Sequence, residues 1–182
     1  MRITPEHAAK AVSDAAGEPV DPEHIHLMEP SELPGTIVVS QHWTTHSAIL
    51  RGVFVDGEFG SAEDQLGKAL ARAGWAEADE TQRGKLALAW VEHVLYGYSG
   101  HVLREASHVF GKKGRPKFSP PATAARADGS IRVSLWLREV EAGKSGTKAF
   151  WQAEVVVASD GGALTARSLH RFEVSNRELF RR

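Results

Sequence analysis

Apolar residues recur along this chain at two spacings, and the dominant spacing changes once. In the first 110 residues the stronger pattern is helical. Leu86, Leu88, Trp90, Val91, Val94 and Leu95 cover an arc of about 200° at 100° per residue, leaving Gln82, Lys85, Glu92 and His93 on a narrow polar edge. Asp79 followed three residues later by Gln82 is a capping-box signal for the start of that helix. Gly97 and Gly100 mark its end, and a further helical piece is predicted from His101 to Phe110. An earlier helix opens at Ser61, buries Leu66, Ala69, Leu70 and Ala73, and stops at Gly74. At the amino terminus Thr4 can cap free backbone N–H groups, while Pro5 fits a first helical position that needs no donor. Ile3 can staple to Ala8, the thin stripe of Ala8, Val12 and Ala15 forms the buried side, and Gly17 ends the helix.

Residues 18–35 carry four prolines and read as a connection with one short strand around residues 24–28. Residues 36–43 and 48–55 are rich in β-branched and aromatic side chains and predict a hairpin across a polar turn; Asp56-Gly57 turns the chain again. Residues 111–117 form a basic, breaker-rich linker, after which the period becomes two. Strands are predicted at 122–127, 131–141, 147–158 and 164–174, in meander order. The expectation is one α+β domain over residues 1–182, with helices packed on one face of a mainly antiparallel sheet. Its parts are a helix-rich region with a β-hairpin (1–110), the linker and a four-stranded β-meander (118–182). The layout is analogous to cystatin-like or nuclear-transport-factor-like architecture, as arrangement only.

Alternation assigns faces within the meander. Ile131, Val133, Leu135 and Leu137 share the helix side with Ala149, Trp151, Ala153, Val155 and Val157. A continued register adds Leu164, Ala166, Ser168, His170 and Phe172 to that face, with His170 opposite Trp151. Small residues there leave room for a pocket between sheet and helix, with His170, Ser168, Trp151 and Trp90 as its candidate lining. The opposite face carries Arg132, Trp136, Arg138 and Phe150, the aromatic and arginine mixture enriched in binding hot spots.

Composition narrows the chemistry. The 182 residues include no cysteine, which removes disulfides, thiolate metal sites and a cysteine nucleophile. The 22 basic and 23 acidic side chains are interspersed and sum to −1, so nucleic acid is not an expected partner. No stretch reaches the roughly 20 apolar residues of a membrane span, and the first residues show no basic start followed by an apolar run; cytoplasmic residence is the expectation. Nine histidines raise a metal hypothesis that spacing does not support. His24 and His26, or His42 and His46, can pair, but no third ligand is selected, and His93, His101 and His108 are too far apart along a helix to share an ion. The Gly111 to Arg115 stretch lacks the order of a phosphate-binding loop, and no serine-nucleophile motif is present. No cofactor is called for. The reading is a nonenzymatic domain that binds a protein partner or itself through the Trp136/Phe150 face; its rival is a small-molecule or enzymatic domain with a pocket anchored by His170.

Overall fold

The computed structural model describes residues 2–44, 47–97, 100–105, 110–111, 115–139 and 147–175. Over these residues the fold is α+β, with three helices and two antiparallel sheets. Helix α1 spans Pro5–Ala16; Thr4 caps it by accepting the His7 N–H, and Gly17 leaves it in the left-handed conformation at φ 72°. A short 3₁₀ turn at Pro22–His24 leads into the first sheet, β1 (Ile25–Met28), β2 (Thr36–Thr44), β3 (Ser47–Val55) and β4 (Glu58–Gly60), in that spatial order.

Helix α2 (Ala62–Arg72) opens on Ser61, and α3 (Glu80–Ala89) on the reciprocal capping box of Asp79 and Gln82. The helix begun by α3 continues through Trp90–Leu95 as a π-helical turn. The second sheet follows: β5 (Gly100–Leu103), β6 (Ala122–Ala125), β7 (Ile131–Glu139), β8 (Thr147–Val157) and β9 (Leu164–Ser175). Strands β6 to β9 form the expected C-terminal meander. Strand β5 shares the β7 edge with β6, pairing with its far end from Trp136 to Glu139. The helical piece expected from His101 is therefore a strand at its start. Residues 106–109 of that piece, 112–114 of the linker and the predicted turn positions 45 and 46 lie outside the described residues.

The first sheet is covered on both faces, as alternation requires. Ile37, Val39 and Phe54 pack with Ala8, Ala9 and Val12 of α1, and Ile3 joins them at the staple position. Val38, Val53 and Val55 face the other way, into a buried cluster that runs through Leu66, Leu70, Trp75, Trp90, Val91 and Val94. The same cluster reaches the second sheet at Ile131, Val133, Leu135, Leu137, Ala153, Val155 and Val157, the inner face that alternation assigned. Trp75 ties the connection between α2 and α3 to the turn between β8 and β9: its indole N–H donates to the Ser159 carbonyl at 3.0 Å. Among the described residues no helix is long and apolar enough to cross a membrane.

Candidate functional site

The outer face of the second sheet carries Trp136 and Phe150, but it is not open. Phe110 and Phe118 fold over it and, with Phe172 and Val174, make a third, small buried cluster. Phe110 stands edge-on to Trp136 at 4.9 Å and to Phe150 at 5.5 Å, while Phe150 stacks on Phe172 at 5.2 Å. Trp136 is 2% exposed and Phe150 0% exposed, so neither presents a surface to a partner. Arg132 and Arg138 remain exposed around this cluster. The expected aromatic binding face is corrected on this point: chain that departs after β5 and returns before β6 covers its centre.

The expected pocket is corrected by a single residue. Val157 pairs with Leu164, as alternation assumed, but Val156 pairs with Ala166, leaving Thr165 as a bulge. Every side chain beyond the bulge changes face. Ser168 and His170 lie on the outer face, opposite Glu154 and Gln152, and His170 is exposed. Trp151 is half-buried against the inner core, and Arg171, not His170, is its cross-strand neighbour. Trp90 is fully enclosed, and among the described residues its indole N–H has no hydrogen-bond partner. The four pocket candidates are thus not brought together. A groove of about 540 Å³ lies elsewhere, lined by Arg2, Glu29, Ser31, Thr36 and Asp56 among others, and touches none of them.

The histidines pair differently from their spacing in sequence. His26 lies opposite Ser40 on the β1–β2 ladder, which brings its ring to 4.0 Å from that of His42 two residues on. Ser40 Oγ is 2.9 Å from His42 Nε2. Burial first, and then the charge of His26, holds the His42 imidazole below the ordinary histidine range. His24 stands apart in the 3₁₀ turn, while His46 and His108 lie outside the described residues. Among the described residues no group of three or more ligating side chains could hold a metal ion. Glu92, placed on the polar edge by its spacing, is buried on the π-helical turn; one carboxylate oxygen accepts from Arg104 at 2.9 Å and the other has no partner among the described residues.

The feature that sequence reasoning missed is the free edge of β9. This strand runs for 12 residues at the end of the sheet order, and among the described residues no strand pairs with its outer side. Which backbone groups face outward is fixed by the ladder. Ala158 N–H donates to the Ala163 carbonyl at 2.9 Å, so the even-numbered residues of β8 turn their backbone groups toward β9. Their partners Ala166, Ser168, His170 and Phe172 turn back toward β8, and Arg167, Leu169 and Arg171 turn their N–H and C=O groups outward. A second contact agrees with this phase: the Glu173 carbonyl points away from β8 and accepts from the Arg115 guanidinium at 2.6 Å. The open stretch is bounded by the Thr165 bulge at one end and the Arg115 cap at the other.

Side chains of the open stretch make its inner side basic around an apolar centre. Leu169 is 41% exposed. Arg167 donates to the Tyr96 hydroxyl at 3.1 Å and lies 5.2 Å over that ring. Arg171 lies 5.3 Å over Trp151 and pairs with Glu173 at 2.7 Å. Aromatic rings thus hold both guanidinium groups on either side of Leu169.

Fold and edge together define an α+β chain with two antiparallel meanders, one of which ends in a strand whose outer side has no partner strand among the described residues. No protein-family model matches the sequence, and no solved structure matches it. A relative from Dictyostelium discoideum, described only as an uncharacterized protein, is 24% identical over 116 residues, covering 59% of this chain and 53% of that protein. The matched stretch is about half the relative's length.

Proposed function

We propose that this chain is a nonenzymatic protein-binding domain whose interface is the free edge of β9. The observation that carries the reading is the outward backbone of Arg167, Leu169 and Arg171 next to an exposed leucine. An edge strand offers unsatisfied donors and acceptors to any extended chain, and proteins avoid such pairing by shortening, charging or covering their edges. Among the described residues the cover stops at Glu173, and the part beyond it keeps an apolar side chain where a solvated edge would favour a polar one. Strand addition of this kind gives affinity through main-chain hydrogen bonds and specificity through alternate side chains. A cytoplasmic setting belongs to the same proposal.

The test is a photocrosslinking amino acid, p-benzoylphenylalanine, placed at Leu169 and, as a control, at exposed Lys10 of α1. In cells of the source organism, position 169 should give a defined adduct with another protein and position 10 should not. Adducts at neither position, or the same adducts at both, would remove β9 as the interface.

A further inference from the structure

Building on the reading of β9 as an interface, we propose the chemistry of its partner: an extended segment with carboxylate side chains at positions i and i+4 around an apolar residue at i+2. In an added antiparallel strand, residues directly opposite share a face of the sheet. The residues opposite Arg167, Leu169 and Arg171 therefore lie on the inner side, at every second position. Opposite charges are favoured across from the two arginines, and an apolar side chain across from Leu169 completes its burial.

Among the described residues Arg167 has the neutral Tyr96 hydroxyl as its hydrogen-bond partner and no carboxylate, so an incoming acid meets an unneutralised guanidinium. Arg171 shares its charge with Glu173, which makes the Arg167 end the more selective of the two. Phe172 and Arg115 close the site beyond Arg171, where the guanidinium lies 5.6 Å over the ring.

A second copy of this chain fits the same edge less well. Two outward-facing β9 strands related by a two-fold axis can meet at Leu169, which sets Arg167 against the Arg171 of the other copy, like charge against like. Centring the axis on His170 instead sets Arg167 against Glu173, but that pairing needs the Glu173 carbonyl, which Arg115 already occupies. The first register is repulsive and the second is blocked. A different protein supplying the acids has neither problem.

The experiment uses the full chain and fluorescein-labelled synthetic peptides with the core Glu-Thr-Val-Thr-Glu or Lys-Thr-Val-Thr-Lys, read by fluorescence anisotropy. The acidic peptide should bind more tightly than the basic one by more than about tenfold. N-methylation of its valine, whose N–H faces β9, should abolish binding, whereas N-methylation of a threonine should not. This comparison changes only the peptide, so it does not depend on the folding of a variant. The R167E/R171E double variant, its fold checked by circular dichroism, should reverse the preference toward the basic peptide.

Equal binding of the two peptides, no binding of either, or indifference to the methylated position would overturn the acidic-strand inference. If no peptide binds while the Leu169 crosslinker still captures a protein, the interface survives and only the chemistry of its occupant is wrong. A concentration-dependent dimer in sedimentation, crosslinked through Leu169 of both copies, would also overturn the inference by making a second copy the occupant.

Discussion

Replacement of Trp136 tests whether the outer sheet face is a core or a surface. Its side chain is 2% exposed beneath Phe110, so Trp136→Ala removes an enclosed indole and leaves a cavity, at a cost of about 3–5 kcal/mol. For a chain of this size that is a fall of roughly 6–20 °C in melting temperature, at 2–4 °C per kcal/mol. Trp136→Phe should behave very differently. The smaller ring gives up roughly 40 Å² of buried apolar surface, or about 1 kcal/mol at 25 cal/mol per Å². It also removes an indole N–H that is buried without a partner among the described residues, relieving a penalty of about 1–3 kcal/mol. The two effects oppose each other, and the phenylalanine variant should lie within about 1 kcal/mol of the parent or slightly above it in stability. Urea unfolding followed by far-ultraviolet circular dichroism gives both numbers, provided the slope with denaturant is unchanged. Exposed Arg138→Ala is the control and should change stability by about 0.5 kcal/mol or less. An alanine variant costing under about 1 kcal/mol would refute the enclosure of this face. A phenylalanine variant as damaging as alanine would show that the indole N–H is bonded.

Three further outcomes follow from local geometry. In Gly52→Ala the new Cβ would stand 2.4 Å from Phe59 Cζ and 2.8 Å from the Gly60 carbonyl, so a loss of about 1–3 kcal/mol is expected in urea unfolding; an unchanged midpoint would contradict that packing. Trp75→Phe removes the donor to the Ser159 carbonyl and should cost about 1–3 kcal/mol, with faster amide exchange in the turn at residues 158–163; unchanged exchange there would exclude the tie. His42 takes up a proton near pH 6.5 in the unfolded chain but only at lower pH when folded. The unfolded state therefore binds more protons in that interval, and stability should fall as pH drops through it, by less in His42→Gln than in the parent; parallel melting curves for the two would oppose it.

The parts of this fold that sequence displays are those decided by near neighbours. Thr4-Pro5, Ser61 and Asp79 with Gln82 cap helices through contacts within three residues, and all were legible. The inner faces of β7 and β8 were legible because strict alternation persists through both. The face of β9 was not, because the Thr165 bulge interrupts alternation in a stretch where both possible phases contain apolar and polar residues. Residues from His101 read as helix until pairing with β7 decided otherwise, a tertiary contact that outweighs local pattern. Phe110 and Phe118 gave the one available hint that the outer face is covered: an aromatic residue at each end of a basic, breaker-rich stretch has to be buried somewhere. The open edge had no local signal at all, since which strand ends a sheet is a property of topology.

The Arg115 contact with Glu173 limits how much of β9 another strand can extend. Cross-β assembly stacks in-register strands at a repeat of 4.7–4.8 Å, typically over segments of about six or seven residues. Between the bulge at Thr165 and the capped carbonyl at Glu173, β9 offers only the stretch from Arg167 to Arg171, roughly 17 Å at 3.4 Å per residue. A strand that docks there finds both ends closed. On the proposed docking role, the stretch that takes a guest strand is shorter than a cross-β segment, and Arg115→Ala, which uncovers the Glu173 carbonyl, should raise thioflavin-T-positive aggregation of the purified protein above that of the parent.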